Sequence, residues 1–241
     1  MGVFGDQVAV VTGASRGIGR AIALALAAHG ANLALVGRDA DALGDVATKA
    51  RATAPHVVCY QIDLAEDRQV DEFTARLEAD FGVLDILVHA AGTMQLGAVA
   101  DSSACDLGRQ YRINVHAPYV LTRGLLPLLR RNQGQIVFIN STMGLGTRAG
   151  VAAYAASKHA LKALADTVRE EVSPDGVRVL SVFPGRTATP GQAAIHAAER
   201  RQYVPERLMQ PEDVATMVVS ALAVPRTAEV TDIRIRPMHK I

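Results

Sequence analysis

Val8-Ala9-Val10-Val11-Thr12-Gly13-Ala14-Ser15-Arg16-Gly17-Ile18-Gly19 reads as a buried strand, a glycine-rich turn and the start of a helix. Its apolar run has no period-two alternation, as expected for a parallel strand covered on both faces. Glycine in the turn permits a tight reversal and lets the backbone approach a neighbour closely. The helix that follows is expected over Gly19–His29.

The same alternation continues along the chain. Strands are expected at Gln7–Thr12, Asn32–Val36, His56–Ile62, Ile86–Ala90, Gln135–Asn140, Arg178–Phe183 and Asp232–Arg236. Helices are expected at Ala40–Ala52, Asp67–Phe81, Ser103–Arg131, Ala152–Val172 and Pro211–Ala223. Pro211-Glu212-Asp213 is a helix start, with Pro at the first position and acids in the first turn. Such alternation implies βαβ units with right-handed crossovers and one doubly wound sheet. The fold class is therefore α/β, one domain over residues 1–241 with a parallel sheet of about seven strands and helices on both faces.

Composition narrows the function classes. A net charge of +1 offers no basic face for nucleic acid or anionic lipid. Cys59 and Cys105 lack metal-ligand spacing, so no metal site and two reduced thiols are expected. Met1 to Gln7 is too short and polar for a signal peptide, and no apolar run reaches membrane length. The expected location is the cytoplasm.

A strand–glycine turn–helix unit in a doubly wound sheet is where a dinucleotide pyrophosphate binds, on the helix N-terminus. Gly13, Ser15, Arg16, Gly17, Ile18 and Gly19 form this candidate site. An NAD site wants a carboxylate at the end of the second strand. This chain has Val36-Gly37-Arg38 there. Arg38 is planar, permanently charged and suited to a 2′-phosphate, and Arg16 can reach the same group. Asp39 could be a displaced ribose ligand, but it reads as the start cap of the helix at Ala40. The balance favours NADP(H) over NAD. Tyr154 and Lys158 stand one helical turn apart, so their side chains share a face. A lysine ammonium beside a phenol stabilises the phenolate and lowers a pKa that is otherwise about 10.

Thr12-Gly13 with Gly17 and Gly19, and Ser141 thirteen residues before Tyr154, resemble the short-chain dehydrogenase/reductase family over essentially the whole chain. The resemblance implies a Rossmann-like fold and a catalytic set of Asn114, Ser141, Tyr154 and Lys158. It implies that Asp63-Leu64 meets adenine, and that Pro184-Gly185 with Thr187 and Thr189 covers the nicotinamide. His89-Ala90-Ala91-Gly92 stands where the family commonly has Asn-Asn-Ala-Gly. Ala91 and Gly92 can still pass close to the cofactor, but the usual side-chain tie at Ala90 is missing. The implied activity is NADP(H)-dependent interconversion of a carbonyl and a secondary alcohol. Tyr154 would be the general acid, Ser141 would hold the carbonyl, and Lys158 would lower the Tyr154 pKa and bind ribose. Asn114 would hold a water leading from Lys158, its mid-helix position favouring a local distortion. Ser141 could also be a strand-end cap, and Thr142 competes for its role.

Met94, Gln95, Leu96, Met143, Leu145 and Val151 are expected to frame an apolar substrate pocket, with Ser141 at its reacting end. Arg148 and Arg186 could grip an anionic group. Residues 187–210 lack clear periodicity and are expected to form a substrate lid with a short helix at Ala193–Gln202, a polar outer face at Glu199, Arg200 and Arg201, and few long-range anchors. The helices Ser103–Arg131 and Ala152–Val172 suit the family's homodimer or homotetramer contacts. A nucleotide-sensing regulator without turnover, a dehydratase or epimerase, and a subunit of a larger assembly remain alternatives.

Overall fold

The computed structural model describes residues 2–238; Met1 and residues 239–241 of the expected domain lie outside the described residues. Among these, seven strands form one fully parallel sheet in the order β3-β2-β1-β4-β5-β6-β7. The strands are β1 (Val8–Thr12), β2 (Asn32–Gly37), β3 (Val57–Gln61), β4 (Ile86–His89), β5 (Gln135–Ile139), β6 (Arg178–Pro184) and β7 (Asp232–Ile235).

The expected uninterrupted strands follow from coverage on two faces. Along β1, Ala9 and Val11 join one core cluster while Val8 and Val10 join the other. The first cluster packs the sheet against α1 (Gly17–Ala28), α2 (Ala40–Ala50) and α8 (Pro211–Leu222), through Ile22, Leu26, Leu43 and Val218. The second packs it against α3 (Asp67–Phe81), α5 (Ala117–Arg131) and α6 (Ala152–Val172), through Phe73, Leu77, Leu125 and Leu161. Burying each such side chain stabilises the fold by about 1.5–3 kcal/mol before entropy is counted. No described helix is long and apolar enough to cross a membrane.

Two expected helices differ in outline. The Ser103–Arg131 helix is three pieces: α4 (Ala104–Tyr111), a π-helical turn over Arg112–His116, and α5. Ser103 caps α4 by accepting from the Asp106 N–H. The bulge lies at Asn114, whose buried side chain bonds outside the helix. The expected Ala193–Gln202 helix is α7 (Pro190–Ala198), begun earlier because the Thr189 hydroxyl caps it and Pro190 stands at its first position.

The strand order reverses between β1 and β4, which leaves a crevice beyond their carboxyl ends. Thr12 holds its two lips. Its buried hydroxyl donates to the Val88 carbonyl at 3.2 Å and accepts from the backbone N–H of Ala90 at 3.0 Å and of Ala91 at 3.1 Å. Ala90 has no side chain to make the tie that the resembled family has there, and its backbone N–H is held instead by Thr12 from the opposite lip. Thr12→Val keeps the shape and removes the oxygen. It should lower unfolding free energy by about 1–3 kcal/mol in urea titration, the usual cost of stranding buried polar groups.

Candidate active site

The crevice continues into one long cleft with two parts. The first, about 940 Å³, is lined by the glycine turn, Arg38, Asp63, Leu64, Ala91 and Gly92. The second, about 590 Å³, is lined by Ser141, Tyr154, Lys158, Pro184, Gly185 and Thr187, among others. Ile18, Ala91, Gly92 and Thr189 line both. The expected cofactor residues other than Gly17 therefore border a continuous channel.

The glycine turn has geometry only glycine satisfies. Gly13 has φ +63°, and a Cβ there would lie 2.9 Å from the Ala91 Cα. At Gly19 a Cβ would run into the carbonyl of Gly13. The first turn of α1 has no side-chain cap and no acid. Its N–H groups point to the channel, a site suited to a pyrophosphate. By contrast α2 is capped by Asp39, whose carboxylate accepts from the Ala42 N–H at 3.0 Å. Asp39 is thus the helix cap that its position after β2 suggests. Arg16 and Arg38 are exposed at the channel, and neither pairs with a carboxylate among the described residues. Asp63 is fixed by accepting from the Ala65 N–H and by its own N–H on Gln69.

Asn114, Ser141, Tyr154 and Lys158 converge from three elements. Ser141 ends β5 and accepts from the Met143 N–H at 3.1 Å, so it does cap the short 3₁₀ turn Thr142–Gly144. Its hydroxyl also stands beside the Tyr154 phenol and acts to lower its pKa. Burial pushes the Tyr154 phenol up, and Ser141 pulls it partly back. Burial pulls the Lys158 ammonium down to about 8. Its Nζ donates to the Ile139 carbonyl at 3.0 Å and lies 5.9 Å from the Tyr154 ring centre. The lowering expected from Lys158 is not seen here: burial dominates the phenol, and what opposes it is Ser141.

The Asn114 side chain is already committed. It accepts from the Thr93 N–H and donates to the Thr93 carbonyl and the Ser157 hydroxyl, each at 2.9 Å. Any water it holds would use the backbone freed by the π-turn. Two supporting residues, Ser157 and Asn140, escaped the sequence. Ser157 passes the Asn114 bond on to the Tyr154 carbonyl at 2.7 Å. Asn140 accepts from the Ser141 N–H and donates to the Lys158 carbonyl, joining β5 to α6. His89 stacks on Phe138 and bonds Thr122, buried and pointing away from the channel. Burial holds its imidazole down at about 3, so it is neutral. A polar residue beside Ser141 was the only available signal for Asn140.

The pocket frame needs correction. Met94 and Met143 line the second part of the cleft, but Leu96, Leu145 and Val151 do not. Val151 is 1% exposed and its backbone bridges to Gly97. Gln95 faces the first part, where its side chain accepts from Arg109. The Thr187 hydroxyl donates to the Gly185 carbonyl and the Thr189 hydroxyl caps α7, so both are partly spent locally.

The lid is also better anchored than expected. Residues 187–210 pair back on themselves at Thr187 and Met209. Glu199 is not an outer polar residue: it bonds Arg148, fifty-one residues away, and Arg186. Burial pushes its carboxyl up, but the bonds and charges of Arg186 and Arg148 prevail and hold it below the usual carboxylate range. Among the described residues no group of His, Cys, Asp and Glu is placed to hold a metal.

A family model for short chain dehydrogenases matches residues 7–200. Glycine betaine reductase ATRR of Emericella nidulans is 34% identical over 241 residues, 98% of this chain but only 19% of that protein. The chain thus spans about a fifth of that relative's length. An uncharacterized oxidoreductase of Staphylococcus aureus is 30% identical over 99% of this chain and 100% of its own. An alcohol dehydrogenase of Thermococcus sibiricus, solved with 5-hydroxy-NADP, superposes with TM-score 0.89 at 28% identity, covering 98% of both chains. The chain belongs to the short-chain dehydrogenase/reductase family of oxidoreductases.

Proposed function

We propose that the protein is an NADP(H)-dependent oxidoreductase that interconverts a carbonyl and a secondary alcohol, with Tyr154 as general acid and base. The observation that carries this is the convergence of Tyr154, Ser141 and Lys158 at the end of a channel that begins at an uncapped helix N-terminus. The residues fit a dinucleotide: the turn is closed to a Cβ at Gly13, and Arg16 and Arg38, which pair with no carboxylate among the described residues, line the channel beside it as partners suited to a 2′-phosphate. The Thermococcus alcohol dehydrogenase, solved with an NADP derivative, supports the same cofactor.

When bound, the nicotinamide supplies the hydride; the protein's part is position and proton transfer. Ser141 holds the carbonyl oxygen by a hydrogen bond that strengthens as negative charge grows on it. Tyr154 gives that oxygen its proton. Lys158, stationed on the Ile139 carbonyl, keeps a positive charge one helical turn from the phenol. Swinging this ammonium toward ribose hydroxyls and the phenol would counter the burial that holds the Tyr154 pKa up. Asn140, Ser157 and Asn114 brace the set from behind. Tyr154→Phe keeps the ring and removes the acid. Turnover of a ketone with NADPH should fall by about 10²–10⁴ while the far-ultraviolet spectrum and NADPH affinity hold. A variant with near-parental kcat would sink the assignment.

Cofactor choice rests on Arg38 and Arg16. Arg38→Ala should weaken NADPH by about ten- to a hundredfold in direct titration, the worth of one charge-assisted contact, and leave NADH nearly unchanged. Equal losses for both cofactors would mean that another residue selects.

Assembly and place follow the same reading. Leu107, Tyr111 and Tyr119 are exposed on α4 and α5, an apolar face suited to a second copy. A homodimer or homotetramer in the cytoplasm is expected. Light scattering at micromolar concentration should return at least twice the monomer mass, and a monomer would refute it.

A further inference from the structure

The second part of the cleft has a lopsided charge. Arg148, Lys158, Arg186 and Arg201 line it, and no Asp or Glu does. The nearest counter-charge is Glu199, which sits behind the arginines with its side chain 12% exposed. Arg186 spans both Glu199 oxygens, at 3.0 and 2.7 Å, and its other terminal nitrogen faces the His196 ring at 3.4 Å. That pair is internally satisfied. Arg148 spends one terminal nitrogen on Glu199, and Arg201 approaches it only at 3.8 Å. Among the described residues neither makes another side-chain hydrogen bond.

Three guanidinium groups against one carboxylate leave two positive charges at the mouth of the cleft. Arg148 and Arg201 stand at the surface of the mouth, with side chains 43% and 48% exposed, where an entering anion can reach both. The dinucleotide's phosphates are not that anion. Their station is the uncapped start of α1 with Arg16 and Arg38, and the part of the channel around it is lined by none of Arg148, Arg186 or Arg201. The position of the two underused arginines is informative. Arg148 lies on the loop between β5 and α6, and Arg201 lies on the lid just after α7. Both reach the Glu199 carboxylate, Arg148 at 2.5 Å and Arg201 at 3.8 Å, so Glu199 ties their two elements together and sets the two guanidinium groups side by side at the mouth. Met94, Met143 and Ile195 give the same space an apolar wall.

We infer that the substrate is a carbonyl compound with an apolar body and a terminal anionic group, a carboxylate or a phosphate, gripped between Arg148 and Arg201. This rests on the oxidoreductase reading and adds the substrate class to it. Arg186 and Glu199 then act as the fixed pair that orients the grip. Because Glu199 already ties the loop of Arg148 to residues 187–210, the anion would add a second bridge across the same seam. The same field would disfavour a cationic aldehyde.

The test uses phenyl-substituted keto acids with increasing spacing between carbonyl and carboxylate. Each is paired with its methyl ester. Dihydroxyacetone phosphate beside dihydroxyacetone forms the phosphate arm, and a trimethylammonium aldehyde is the cationic comparator. Turnover is read with NADPH, and the hydroxy acid product is titrated calorimetrically into the enzyme–NADP complex. One of the anionic arms should exceed its uncharged partner by about ten- to a hundredfold in kcat/KM, the worth of charge-assisted contacts. Arg148→Gln and Arg201→Gln should each erase most of that preference and weaken hydroxy acid binding, with NADPH affinity unmoved. Which arm wins separates carboxylate from phosphate. Uncharged partners turned over as well as the anions in both the keto acid and the phosphate arms, by the parent and both variants alike, would overturn the inference and leave the reductase standing. Tight NADPH binding with no turnover of any compound would bring down the oxidoreductase reading, and this inference with it.

Discussion

The hydroxyl of Thr12 sits where the sheet parts. Chain connections leave β1 and β4 on opposite faces, so no element fills the gap beyond their ends. A gap of this kind exposes backbone polar groups on both lips. One threonine oxygen satisfies Val88, Ala90 and Ala91 together and sets the width of the crevice. The glycine turn then packs against Ala91 so closely that a methyl group at Gly13 would not fit. The entrance of the channel is fixed before any ligand arrives, which is the condition for pre-organised binding.

The other end of the channel is held by α6. Its register puts Tyr154 and Lys158 on one face, and Ser157 between them turns inward to Asn114. Burial acts on the two groups in opposite chemical senses. It raises the phenol and lowers the ammonium, so each is driven toward its neutral form. A neutral phenol is the right species to donate a proton. Lys158 can help the phenol only while it carries its charge, because only the cation stabilises the phenolate, and burial brings the loss of that charge down to about pH 8. Lys158 therefore needs partners that favour its charge. Here that partner is the Ile139 carbonyl, and ribose hydroxyls would extend the set.

Much of the fold was legible because it depends on local composition. Unbroken apolar runs identified the strands, and two-sided burial along β1 is the physical reason. Asn114 inside a helical stretch signalled a distortion, and the π-turn stands there. What escaped was long-range. Glu199 was read as surface because local spacing cannot reveal a bond to Arg148 across the cleft. Val151 is apolar and suits a pocket wall, but the loop folds it against Gly97. His89 was read as a departure on the cofactor side, yet it stacks in the opposite direction on Phe138. In each case a partner distant in sequence decides where the side chain goes.

The central claim is that this channel carries hydride to a carbonyl carbon while Tyr154 supplies the proton. It is tested most directly by isotope transfer. NADPH carrying deuterium on one face of nicotinamide C4 would be incubated with the protein and a panel of ketones, and the alcohols analysed by mass spectrometry. The account predicts deuterium on the carbinol carbon from one face of the ring only, with solvent hydrogen on the oxygen. Cofactor bound tightly, with no labelled alcohol from any ketone, would contradict it.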